Sequence, residues 1–216
     1  MVKCFCGKIL LCVVAVVGMG LGALPAQAQR VSLTDLQNQI AASVTCPAAL
    51  PGQPRFVDKG DGTICDSATG LMWEKKLECA EPINPRCVNN IYSWSASIAT
   101  TGPDGTLYHD FLDRLNDLKT PNDGTATPCF AGHCDWRIPT VGELRSILSE
   151  TTPGGGCTAN PCIDPIFGPT QSNSHWSSSS LASDPVYAWA ILFNRGSFYT
   201  FHKHFPIYAR AVRGGR

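Results

Sequence analysis

Eight cysteines, Cys46, Cys65, Cys79, Cys87, Cys129, Cys134, Cys157 and Cys162, are spread along the chain beyond residue 45 and constrain its fold more than any other feature. An even set in a chain of this kind reads as a disulfide framework, which persists only where thiols are oxidised. The start of the chain carries the matching address. Lys3 and Lys8 form a basic head, Ile9 to Leu24 an apolar stretch, and Pro25 to Ala28 an exit ending in Ala26-Gln27-Ala28. These are the three zones of a secretory signal peptide over residues 1–28. A permanent anchor is the competing reading, but the apolar run is short, is interrupted by Gly18, Gly20 and Gly22, and stops at Pro25. Cys4, Cys6 and Cys12 leave with the leader, and Cys12 lacks the small residues before it that a lipid-anchored junction needs. The processed form is therefore expected to be soluble, not membrane-spanning, and delivered to the periplasm, the outer surface or the medium.

Charge excludes one class of partner. The chain has 17 basic and 17 acidic residues, and loss of Lys3 and Lys8 leaves 15 against 17, a net of −2. Bulk nucleic-acid binding is not indicated by such a balance. The distribution is uneven, however: from Pro185 to the end there is no Asp or Glu, while Arg195, Lys203, Arg210, Arg213 and Arg216 fall there.

The 216 residues suffice for one core. Residues 29–54 read as an N-terminal helix and linker: Leu33, Leu36 and Ile40 share a helical face behind Ser32, and Pro47, Pro51, Gly52 and Pro54 then break it. Residues 55–216 form the folded domain. Short strands at Arg55 to Val57, Thr63 to Asp66 and Leu71 to Glu74 are joined by turns containing Gly60, Gly62 and Gly70. Leu107 to Leu118 has helical spacing of Leu107, Phe111, Leu112, Leu115 and Leu118. Thr140 with Glu143 makes a capping box for a second helix carrying Val141, Leu144, Ile147 and Leu148 inward. Tyr187 to Phe193 and Phe198 to Phe201 predict a hairpin across Asn194-Arg195-Gly196, with a further strand at Ile207 to Arg213. Without regular βαβ alternation, this order predicts an α+β domain: a mixed antiparallel sheet, two main helices and long disulfide-pinned loops.

Spacing favours local pairing. Cys129 with Cys134 and Cys157 with Cys162 are each separated by four residues, Cys79 and Cys87 by seven, which leaves Cys46 for Cys65. Other pairings remain open on sequence grounds.

Six segments together carry a family resemblance: Gly60-Asp61-Gly62-Thr63, Thr69-Gly70-Leu71-Met72-Trp73, Asp135-Trp136-Arg137-Ile138-Pro139-Thr140 with Glu143-Leu144, Ile163-Asp164-Pro165, Trp176-Ser177-Ser178 and Val212-Arg213-Gly214-Gly215. From about Arg55 to Gly215 the chain resembles the C-terminal domain of the Legionella collagen-like adhesin, a family of secreted bacterial domains largely of unknown function. The resemblance implies a C-type-lectin-like α+β fold, akin also to formylglycine-generating enzymes, and, for the adhesin, binding of sulfated glycosaminoglycans. This sequence departs from the family in having no collagen-like stalk, in Cys65, and in His175 where an aromatic is usual.

Several groups could carry chemistry. Asp135-Trp136-Arg137-Ile138-Pro139 reads as a structural corner, with Trp136 and Ile138 inward and Arg137 available for a carboxylate or carbonyl. Trp73 and Trp189 sit in apolar strands and read as core, whereas Trp94 and Trp176, flanked by serines, read as partly exposed stacking surfaces. His202 and His204 share a strand face opposite Lys203, and a metal there would need His175 or an Asp to converge. Asp58, Asp61 and Asp66 around a glycine turn read as Asx-turn chemistry, with calcium as the competing ligand; no other cofactor is expected. Ser177 to Ser180 beside His175 lacks a Gly-x-Ser-x-Gly elbow and reads as a polar loop, and no cysteine follows Cys162 to serve a copper-dependent oxidase.

The sequence therefore predicts a recognition module rather than an enzyme, its contact surface a basic C-terminal face with Arg195, Lys203, Arg210 and Arg213 as charge donors and Trp176 as stacking platform. The expected partner is a polyanionic glycan or another cell-surface component. A structural or assembly component without ligand, and a metal-dependent enzyme, are the alternatives.

Overall fold

The computed structural model describes residues 46–48, 50–80, 84–117, 129–149, 151–152, 156–157 and 159–215. The expected leader, the helix expected over Ser32 to Ser43 and Leu118 lie outside the described residues. Three strands open the domain, β1 (Phe56–Asp58), β2 (Thr63–Asp66) and β3 (Leu71–Glu74), and the late strand β9 (Val212–Gly214) returns to pair with β3, so the antiparallel order is β1-β2-β3-β9. A second sheet, β6 (Ser174–Ser180), β7 (Tyr187–Leu192) and β8 (Ser197–His202), is also antiparallel, and the two-residue strands β4 (Thr151–Thr152) and β5 (Gly156–Cys157) make a small hairpin. The architecture is the expected α+β one with disulfide-pinned loops. Cys46–Cys65, Cys79–Cys87, Cys129–Cys134 and Cys157–Cys162 are bonded, each the neighbour pair that spacing favours.

Strand alternation splits the interior into two cores. Ile64, Trp73 and Val212 are cross-strand partners and pack with Leu144, Ile147, Ile163, Phe167, Ile191 and Phe193. Cys65 and Met72, partners on the opposite face, join Trp94, Phe111, Trp136, Trp176, Ala188 and Ala190. The second sheet divides the same way, with Trp176 and Ala190 facing one core and Ile191 the other. The two larger sheets thus bury side chains from both faces, and every residue of β2 and β3 is buried, whereas the outer strands β1 and β8 keep exposed residues.

Two helices complete the cores. Helix α1 is composite: Leu107–Leu112 winds as a π-helix, in which Asp113 N–H reaches back to Tyr108 O, and Asp113–Leu115 continues as α. The expected helix over Leu107 to Leu118 is therefore shorter and wider among the described residues, although Leu107, Phe111, Leu112 and Leu115 are buried as their spacing predicts. Helix α2 (Val141–Ser146) is too short to persist on propensity alone and is fixed at its start. Thr140 Oγ1 accepts the Glu143 N–H at 3.2 Å, Glu143 Oε2 accepts the Thr140 N–H at 2.8 Å, and Arg137 donates twice to the same carboxylate at 2.8 and 2.6 Å. Although burial opposes it, the Arg137 bonds hold Glu143 below the usual carboxylate range.

Two local readings are corrected. Ser177 to Ser180 is not a loop but part of β6, because its serines satisfy strand geometry without bulk and Ser177 Oγ donates to Trp189 O at 2.7 Å. The strand expected at Ile207 to Arg213 is regular only at Val212–Gly214; Ile207 and Tyr208 make isolated bridges to Tyr92 and His175, and Arg210 between them turns inward.

Candidate functional site

The β7–β8 hairpin is the element whose side chains reach solvent in a pattern suited to contact. Its turn needs Gly196, at φ +71°, where a Cβ would lie 3.1 Å from Cys157 Sγ and 3.4 Å from Cys162 Sγ. The hairpin tip accordingly rests on the Cys157–Cys162 disulfide. Arg195 is exposed on this turn. On β8, which is the outer strand of its sheet, the consecutive aromatics Phe198 and Tyr199 must point to opposite faces, and both are exposed, at 41 % and 44 %. Phe198 is the cross-strand partner of Ile191, on the face that α2 covers, and the exposed Arg145 of α2 places its guanidinium 5.6 Å from the Phe198 ring centroid. Arg145, Arg195 and Phe198 thus combine two cations with an apolar ring. Sequence reading found only Arg195 of the three, since nothing in the helical pattern of α2 ties Arg145 to a strand far along the chain.

The remaining expected surface residues are redistributed. Trp176 is fully buried, its indole N–H donating to Tyr92 O at 2.7 Å and its ring set edge-on to Trp94 and Phe201; Trp94 is buried as well. The reading of these two as partly exposed is corrected. Arg210 is fully buried and donates to Glu74 O at 2.6 Å, Phe167 O at 3.1 Å and Thr170 Oγ1 at 2.7 Å. Burial pushes it down to about 10, with Glu74 opposing the shift. Lys203 is 3 % exposed, donates to Thr101 O at 3.0 Å and lies 4.8 Å from the Trp94 ring centroid. Arg213 reaches solvent only in part and bonds Asp135 at 2.7 Å. The five residues therefore do not form one basic face. The physical reason is that Arg210 and Lys203 find backbone carbonyls inside, at the end of β3 and in loops, where hydrogen bonds are stronger than in water.

Other sites follow the blander expectation. Trp136 is core, donating to Phe130 O at 3.0 Å, and Trp73 is fully buried; the reading of Trp189 as core is corrected, since on β7 it alternates with the buried Ala188 and Ala190 and is only half-buried. Asp61 accepts the Thr63 N–H and hydroxyl, Asp58 accepts the Gly60 N–H and pairs with Lys75, and Asp66 is clasped by Arg55, Thr69 and the Ala68 N–H. Each carboxylate expected around calcium is thus engaged by protein donors. His175 does not approach His202 and His204; it is buried between Phe193 and Tyr208, its Nδ1 3.0 Å from Asn173 O, and burial together with Arg210 pushes it down to about 3. Among the described residues no group of three or more His, Cys, Asp or Glu is arranged to hold a metal ion.

The sequence profile of the Lcl C-terminal domain matches residues 62–213, which takes in both helices and β2 to β8 and ends within β9. No curated protein matches the sequence significantly.

Proposed function

The chain belongs to the Lcl C-terminal domain family, and on that footing we propose that it is an exported recognition module that binds anionic, sulfated glycan chains through the β7–β8 hairpin. The observation that carries the reading is the Arg145 guanidinium over the exposed Phe198 ring, with Arg195 on the adjoining turn. A sulfated sugar offers two complementary features. Its anionic oxygens match the planar donor fork of arginine, and the C–H face of its ring packs on an aromatic side chain. The supporting disulfide beneath Gly196 keeps the hairpin tip ordered before contact, which lowers the entropy lost on binding. Four disulfides fit an oxidising compartment, and among the described residues no helix is long and apolar enough to cross a membrane.

The test is binding of the disulfide-intact chain to heparin oligosaccharides across a salt titration. Affinity is expected to fall steeply with salt, to drop roughly tenfold or more in the double variant Arg145→Glu/Arg195→Glu, and to weaken in Phe198→Ala. Binding that ignores both salt and charge reversal refutes the reading. A second reading, an assembly component with no glycan ligand, draws on the outer position of β8 with Phe198 and Tyr199 exposed. Concentration-dependent dimers in sedimentation, without heparin binding, would favour it.

A further inference from the structure

The segment His202-Lys203-His204-Phe205 leads from the last residue of β8 into a closed turn, in which Phe205 N–H donates to His202 O at 3.0 Å and Lys203 N–H to Val186 O at 2.8 Å. Its middle side chain is locked inward: Lys203 Nζ is held on Thr101 O and against Trp94. With that residue anchored, the flanking histidines are turned out on the same side. Their rings meet at a 79° interplanar angle with Nδ1 to Nδ1 2.7 Å, and both remain partly exposed. Tyr187 stands against His202 and Phe205 against His204, so the pair is walled by aromatic rings.

His202 Nδ1 also accepts the His204 N–H at a long 3.4 Å, a weak bond that a stronger partner can displace, and two imidazole nitrogens this close then have two ways to be satisfied. One is a shared proton, in which one Nδ1–H donates to the other nitrogen. The other is a single metal ion that takes both lone pairs. The spacing selects among metals: with metal–nitrogen bonds of about 2.05 Å, a 2.7 Å bite subtends roughly 82° at the ion. That lies near the right angle of square-planar and octahedral ions and far from the tetrahedral angle, which needs about 3.3 Å between nitrogens. We propose that His202 and His204 form a chelate site for a divalent transition ion of the copper(II) or nickel(II) class, bound through both Nδ1 atoms. Among the described residues no third His, Cys, Asp or Glu joins the pair, so the other coordination positions go to water or to oxygen donors of a bound molecule.

The site is independent of the glycan reading. It is tested by titrating the intact chain with copper(II), nickel(II) and zinc(II) by calorimetry, and by electron paramagnetic resonance of the copper form. One ion per chain is expected, copper tightest and nickel above zinc, with two nitrogen couplings in the copper spectrum. His202→Ala/His204→Ala should abolish that ion, each single variant should weaken it roughly tenfold or more, and His109→Ala/His133→Ala should leave it unchanged. Should the double variant fold poorly, paramagnetic broadening of the His202 and His204 ring signals in the unaltered chain reports the same contact. No bound ion, an ion kept by a folded double variant, zinc above nickel, or broadening elsewhere would overturn the assignment.

Discussion

Mild acid should destabilise this protein through the buried His175. His175 is buried, with Phe193 and Tyr208 against its ring and its Nδ1 on Asn173 O, and desolvation first, then the Arg210 charge, brings its pKa from 6.5 to about 3. A folded-state pKa below the unfolded one means that the unfolded chain takes up a proton that the native state refuses. The stability contributed by neutral His175 is thus complete above pH 6.5 and is lost as pH falls from there toward 3. Each unit of pH within the window is worth about 1.4 kcal/mol, so lowering pH from 7 to 5 removes about 2 kcal/mol. Because pH 5 is still well above the folded value, the size of the loss is set by the unfolded pKa and hardly by the depth of the depression.

Urea unfolding at pH 7 and pH 5 of the native chain and of His175→Phe measures this directly. The phenyl ring keeps the packing against Phe193 and Tyr208 but has no proton to refuse, so the difference in stability between the two pH values should be about 2 kcal/mol smaller in the variant. His133, whose pKa burial also lowers, is present in both proteins and cancels. Asp66 and Glu143, held below their ordinary range by Arg55 and Arg137 against the opposing effect of burial, act only at lower pH. If ring size disturbs the core, His175→Gln serves the same purpose. Equal pH dependence in native and variant chains would refute the reasoning.

Three further outcomes are expected. Glu74→Gln removes the carboxylate that faces Lys76 at 2.9 Å and accepts the Ala211 N–H, leaving buried cations without their countercharge; denaturant titration should register a loss of about 3–5 kcal/mol. Gly105→Ala would place a Cβ against the backbone of Ser93 and Trp94, 2.6 Å from the Trp94 carbonyl carbon, and should lower stability by roughly 1–3 kcal/mol in the same assay. Cys46→Ala/Cys65→Ala opens a link across 19 residues and should lower stability by about 3 kcal/mol, seen as an earlier thermal transition that reductant no longer shifts as far.

Local chemistry was legible in the sequence wherever one short segment decides the outcome. The Thr140 to Glu143 capping box, the glycine turns, the neighbour disulfides and the β7–β8 hairpin each depend on residues a few positions apart. The failures share a different cause. Serine beside tryptophan suggests exposure, yet Ser95 and Ser177 are themselves buried, with hydroxyls bonded to Gly102 O and Trp189 O, so a serine flank marks a satisfied backbone as readily as a wet one. Strand alternation says which residues share a face. It does not say which faces are covered, and here both faces of the inner strands β2, β3 and β7 contribute to a core.

The same limit explains the missing basic face. A domain with so few regular elements has many carbonyls outside ladders, and each buried one needs a donor. Long cations supply them: Arg86 donates to Lys75 O, Lys203 to Thr101 O, and Arg210 to Glu74 O and Phe167 O. Carboxylates in the interior do not match these charges one for one; aromatic faces take up the difference. Lys76 lies over Phe111, Arg86 over Phe130, Lys203 over Trp94 and Arg210 over Phe167, with centroid distances between 4.2 and 5.5 Å. An aromatic ring offers a cation its negative face without adding a titrating charge. The absence of Asp and Glu from the last stretch of the chain is therefore a property of the core as well as of the surface: two of its cations bond backbone carbonyls from inside, and among the described cations of that stretch Arg195 on the hairpin turn is the exposed one.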